Sequence, residues 1–133
     1  MDRYVSLKGW IELDPAALPA LRALLAQSVG AYQAFGLTKH AALQLSNGWH
    51  VPRGAAGRVH FVFYGAELKE AHVPFVRFQA EQIARAQPDG GAGHPAGRFH
   101  LDPLDLSADG AAQVWRCAGG TLHVEPAADA PAR

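Results

Sequence analysis

Seven histidines, at positions 40, 50, 60, 72, 94, 100 and 123, are the side chains of this sequence with the widest chemical reach. No two of them stand at the His-x-x-x-His spacing that would place both on one helix face for a metal. His60, His100 and His123 fall within strand-like runs on the parity opposite the apolar residues, so a sheet could gather them. Zinc needs three converging ligands and partners that orient the rings, and the spacing supplies no such convergence. Polar-face and turn histidines account for the pattern, and no metal is expected. Cys117 is the single cysteine. A reactive thiol wants a helix N-terminus or a cationic neighbour. Arg116 is adjacent but of opposite parity, so Cys117 reads as a small buried hydrophobe. Ser6, Ser28, Ser46 and Ser107 lie in no Gly-x-Ser-x-Gly context. Glu67 and Glu70, on either side of Lys69, could act as acid and base, but a solvated, charged helix entry is the better account of them. Asp102 and Asp105, around Pro103, shape a turn and a cap. No catalytic constellation emerges, and no cofactor is expected.

Nucleic acid is the next chemistry to weigh. Gly57–Tyr64, GRVHFVFY, has a passing likeness to an RNA-recognition strand, with Phe61, Val62 and Tyr64 matching its second half. Arg58, Val59 and His60 depart from its first half. A stacking platform would need the parity of Val59 and Phe61 to face solvent. In the sequence that parity reads as the core face, so nucleic acid is excluded on this ground. What remains is a surface: Tyr4, Trp10, His60, Tyr64 and Trp115 fall on the non-core parity, joined by Arg58, Arg98 and Arg116. Large aromatics mixed with arginine are the residues enriched at protein-interface hot spots.

The elements that must position these residues follow from period and punctuation. Residues 4–13 alternate, with Val5, Leu7, Ile11 and Leu13 on one parity, the pattern of a half-buried strand. Asp14-Pro15 is a helix start. Leu18, Leu21, Leu25, Val29 and Tyr32 then form an apolar stripe, and Gly36 is a C-cap. Ala42–Ser46 and Trp49–Val51 flank Asn47-Gly48, a hairpin signal. Arg58–Tyr64 reads as a strand broken at Gly65. Pro74 opens a second helix carrying Phe75, Phe78, Ile83 and Ala86, which Pro88–Gly93 ends as a loop. Arg98–Leu101 is a short strand stopped by Asp102-Pro103, and Ala112–Cys117 with Thr121–Glu125 forms a terminal hairpin. The prediction is an α+β fold in the order β-α-β-β-β-α-β-β-β. Its mostly antiparallel sheet has five or six strands, with two helices packed on one face. In outline this resembles a ferredoxin-like arrangement. Residues 1–125 form one domain, and 126–133 a flexible tail.

Composition bounds the class. The chain of 133 residues is 49% hydrophobic, and twelve basic side chains balance twelve acidic ones. That balance argues against a broad phosphate-binding surface or a polybasic membrane anchor. No apolar run approaches the length of a membrane span. The first residues show no signal-peptide pattern, and the lone cysteine suits a reducing compartment, so a cytoplasmic location is expected. Abundant Ala, Gly, Pro and Arg fit a GC-rich bacterial genome.

Tyr4–Glu12, a helix, Gly48-Trp49, and Phe61–Glu70 leading into Phe75–Ala86 resemble small bacterial immunity-type proteins over about two-thirds of the chain. Such proteins are compact α+β inhibitors that neutralise a cognate secreted toxin. The neutral charge departs from the acidic surface of many of them. The resemblance implies a non-enzymatic protein that binds a protein partner as monomer or homodimer, without nucleic acid or membrane. Tyr4, Trp10, His60, Tyr64, Glu67 and Glu70 are the expected contact residues. The alternative is a small enzyme or a ligand- or metal-binding domain that uses sheet-face histidines and carboxylates in a cleft beside Gly65.

Overall fold

The computed structural model describes residues 3–52, 60–86, 94–104 and 112–127. Its fold is α+β, built on one six-stranded sheet in which every neighbouring pair is antiparallel. The expected opening strand is β1, Tyr4–Leu13. Asp14 caps the next turn, its carboxylate accepting from the Ala16 amide at 2.8 Å. Helix α1, Leu18–Ser28, follows and tightens into a 3-10 segment that ends at Gly36. There φ is +69°, a left-handed conformation in which glycine carries no Cβ penalty.

The hairpin expected over Ala42–Ser46 is instead a third, short helix, α2, Lys39–Ser46. Thr38 caps it by accepting from the Ala41 amide, and Asn47 stays in right-handed helical conformation at its end. Local capping thus overrides the Asn-Gly turn signal. Only two residues, Trp49 and His50, form β2. β3, His60–Lys69, runs through Gly65, where a break was expected, because Gly65 pairs with Lys8 and the ladder continues to Tyr4↔Lys69. Helix α3, Val73–Arg85, carries Pro74 in its first turn, as its missing N–H requires. β4, Ala96–Pro103, likewise continues through the expected stop at Asp102-Pro103. β5, Gln113–Ala118, and β6, Thr121–Pro126, form the terminal hairpin. Arg58, Val59, Asp105, Ser107, the Pro88–Gly93 loop and residues 128–133 of the expected tail lie outside the described residues, whereas Pro126, where that tail was expected to begin, closes β6 opposite Gln113.

The strand order is β2-β3-β1-β4-β5-β6. Its first four strands have ferredoxin-like β-α-β-β-α-β connectivity, and the hairpin widens the sheet beyond β4. The three helices share one core with one sheet face. Leu18, Leu21, Ala42, Phe75, Val76, Ala80 and Ile83 cluster with Val5, Leu7, Ile11, Val62, Leu68 and Leu101. Gln79 lies fully buried at the meeting point of the helices. Its carbonyl accepts from the Trp49 indole at 2.9 Å, and its amide donates to Ser28 and Ser46 at 2.9 and 2.8 Å. Both hydroxyls donate onward to backbone carbonyls, so one amide joins α1, α2, α3 and β2.

Directly opposed residues make an aromatic row on this covered face: Trp49, Tyr64, Gly9, Phe99 and Trp115 on successive strands. Trp49 reaches past Gly9, with ring centroids 4.9 Å from Tyr64 and 5.7 Å from Phe99. A Cβ on Gly9 would overlap the Phe99 ring and the Arg98 carbonyl. Replacing Gly9 with Ala is therefore expected to destabilise by roughly 2–4 kcal/mol, because backbone must move to admit the methyl. Gln79→Leu should cost a similar amount, about 2–4 kcal/mol, by stranding the buried Trp49 N–H and removing the donor that the Ser28 and Ser46 hydroxyls accept from. Urea denaturation of each variant, followed by far-UV circular dichroism, gives both values. A loss under about 0.5 kcal/mol would contradict the packing described.

Candidate functional site

Among the described residues, the opposite face of the sheet carries no helix. On β1 it displays Tyr4, Ser6, Lys8, Trp10 and Glu12, the parity expected to be outward. On β3 the expected parity is inverted. Val62 and Tyr64 are buried at 0% and 2% exposure, whereas Phe61 and Phe63 stand 42% and 50% exposed. The register explains the inversion. Tyr64 opposes Gly9, which leaves room beneath the helices for a large ring, and Phe63 opposes Trp10 on the open side. The Tyr64 hydroxyl donates to the Leu45 carbonyl at 2.9 Å, and burial holds its phenol above the ordinary tyrosine range. Tyr64 is thus a core residue and is withdrawn as a contact residue. Trp115, also expected on the outer parity, is fully buried against Phe99.

The aromatic cluster that does form is Trp10, Phe61 and Phe63. Trp10 is 41% exposed. Its ring lies edge-on to Phe61 with centroids 6.1 Å apart, and Phe61 lies near-parallel to Phe63 at 6.3 Å. The ladders place Trp10 in a second cross-strand row, back to back with the buried one: His50, Phe63, Trp10, Arg98, Arg116 and His123. All six are exposed. Five strand intervals of about 4.8 Å make the row roughly 24 Å wide. It contains two hydrophobic rings of the cluster, two arginines and two imidazoles, and no carboxylate. Arg116 donates from Nε to Glu125 at 2.7 Å. Among the described residues neither Lys8 nor Arg98 is held in an ion pair.

Two shallow depressions flank Trp10. One, of about 520 Å³, includes Ala96, Arg98, His100 and Arg116 in its lining; the other, of about 380 Å³, includes Lys8, His50, Phe63, Gly65 and His100. The second is the cleft beside Gly65 in which the enzymatic alternative would sit, and its lining holds no carboxylate to pair with an imidazole. Among the described residues no group of three or more His, Cys, Asp or Glu could hold a metal ion, and no helix is long and apolar enough to cross a membrane.

The other expected contact residues do not join the cluster. Tyr4 and Glu67 are exposed toward the far end of the sheet, Tyr4 six residues and hence about 20 Å from Trp10 along β1. Glu70 lies in the turn before α3, lining a separate concavity with Val73, Arg77 and Gln113. His60 opposes Leu13 at the start of β3, and its side chain lies outside the described residues. Phe61 and Phe63 were missed because the run His60–Tyr64 offers aromatic or apolar residues on both parities. The available signal was Gly9, a glycine on the core parity of β1 that calls for large rings on its neighbours.

No family model, curated protein or solved structure matches the chain.

Cys117 is buried, and burial pushes its thiol up to about 11. It therefore stays protonated at neutral pH and should react with Ellman's reagent only after unfolding. The unfolded chain releases this proton near pH 9 and the folded chain near pH 11. Between those values the folded state binds more protons, so stability falls as pH rises, by roughly 2–3 kcal/mol in all. Urea midpoints of wild type should decline across this window and those of Cys117→Ala should decline less. Equal slopes would show that the thiol is not desolvated.

Proposed function

We propose that this is a non-enzymatic binding protein whose working surface is the open face of the sheet. One observation carries the reading: three large rings, Trp10, Phe61 and Phe63, are held side by side in solvent on adjacent interior strands. Apolar area removed from water is worth about 25 cal/mol per Å², so this cluster withholds a few kcal/mol of burial that a partner would release. Exposed apolar patches rimmed by polar residues mark interaction sites, and Arg98, Lys8, His50 and His100 supply the rim. The two depressions beside Trp10 hold no carboxylate–imidazole pair in their linings, so the cleft beside Gly65 lends the enzymatic alternative no support.

The immunity-type resemblance gives this proposal one concrete form, in which the face covers a toxin domain in the cytoplasm of a producing bacterium. Trp10 is the one residue shared by that form's expected contacts and the observed cluster. Tyr4 and Glu67 would extend the contact along the strands, and Glu70 would lie beyond it.

The surface can be tested without knowing the partner. A photo-crosslinking phenylalanine analogue placed at position 10 or 61, in cells that naturally make the protein, is expected to give adducts on irradiation. The same analogue at Gln27, an exposed position of α1, should give none. Adducts at 27 alone, or none at 10 and 61, would remove the open face as the working surface.

A further inference from the structure

We infer that the occupant of the open face is single-stranded nucleic acid, with bases stacked on Trp10, Phe61 and Phe63 and phosphates met by Lys8 and Arg98. The inference rests on the open face being the working surface and names a different partner class from the toxin form. The parity that spoke against nucleic acid in the sequence is the parity the fold reverses: two aromatics two residues apart on β3, and one on adjacent β1, do face solvent. Aromatic side chains on interior strands of an open sheet are the means by which single strands are held, because every base has a stackable face.

Geometry selects a single strand over a duplex. The ring centroids lie 6.1 and 6.3 Å apart, wider than the ~3.4 Å rise per nucleotide of a stacked strand. Each ring therefore suits a base splayed from its neighbours. The depressions on either side of Trp10 have cationic or imidazole groups in their linings, where sugar and phosphate would run. Arg98 stands directly opposite Trp10, and Lys8 lies two residues along β1, so cations sit within reach of a phosphate beside a base stacked on Trp10. The carboxylates of the face lie off the Trp10 row: Glu12 opposes Phe61 on the next outward rung, Glu67 and Asp102 share the Ser6 rung, and Glu125 is paired with the Arg116 guanidinium. Zero net charge then means few phosphate contacts, so stacking supplies most of the affinity.

Fluorescence anisotropy with labelled ten-nucleotide oligo-U RNA, oligo-dT DNA and a ten-base-pair duplex tests this directly. Micromolar binding to one or both single strands is expected, at least tenfold tighter than to the duplex, and the two single-strand arms separate RNA from DNA. Two phosphate contacts predict a slope of log K against log salt of about −1.4. Trp10→Ala and the double variant Phe61→Ala/Phe63→Ala should each weaken binding by roughly 5- to 100-fold while retaining the wild-type circular dichroism spectrum. Quenching of Trp10 emission by unlabelled oligo-U gives a second readout on the unsubstituted protein, since Trp49 and Trp115 are buried. No binding to either single strand at 100-fold above the micromolar range, equal binding to duplex, or indifference to loss of the rings would overturn the inference. Photo-adducts at positions 10 and 61 that survive nuclease and yield to protease would also overturn it, while leaving the open face as the working surface with a protein occupant.

Discussion

The structure depends on the register in which β1 meets β3 and β4. Every directly opposed pair in an antiparallel ladder shares a face. Fixing Gly9 against Tyr64 and Phe99 therefore also fixes Trp10 against Phe63 and Arg98. Two rows run back to back across the sheet, one of buried rings and one of exposed rings and cations. A slip of one residue would exchange them. Gly9 guards against that slip, because a side chain there would run into the Phe99 ring and the Arg98 carbonyl. The surface chemistry of the protein is in this sense a consequence of how its core packs.

The helical layer reinforces the same register from the other side. Trp49 is fixed by its indole hydrogen bond to Gln79 as well as by ring contacts with Tyr64 and Phe99. Gln79 in turn reaches α1 and α2 through two serine hydroxyls. A buried amide with its carbonyl and both its N–H groups engaged is directional where aliphatic packing is not. It specifies where the helices sit, and Trp49 transmits that position to the row beneath. With three helices gathered there, nothing remains in the described chain to cover the opposite face.

Much of this was legible from the residues. The alternation of 4–13, the Asp14-Pro15 start, the glycine stop at 36 and the Pro74 entry each rest on local physics that the tertiary structure left intact. The failures have a shared cause: they are positions where long-range pairing decides. Gly65 and Asp102-Pro103 look like strand stops until β1 supplies ten residues of partner. Ala42–Ser46 is too short for periodicity to separate strand from helix. The run His60–Tyr64 is aromatic or apolar on both parities from Phe61 onward, so no amount of counting within it reveals the buried side. Only the glycine on the neighbouring strand carries that information. The candidate site inherited the error, which is why Trp10 was recognised and Phe61 and Phe63 were not.

That inversion changes what overall charge can say about function. A neutral chain was an argument against phosphate binding so long as the sheet face was taken to offer scattered aromatics at its ends. With the rings gathered at the centre and Arg98 directly opposite Trp10, the placement of charge matters more than its sum: Lys8 and Glu12 flank Trp10 at equal spacing on β1, and Arg116 and Glu125 engage each other. Screening confines each charge to about 8–10 Å at moderate ionic strength, so a partner laid along the Trp10 row meets Arg98 before it meets Asp102 or Glu67. Stacking falls off faster still and is indifferent to salt. A surface that combines the two locally can be selective while the molecule as a whole projects almost no field. The same alternation that buries one row thus leaves the other both apolar enough to seek a partner and charged enough to choose one.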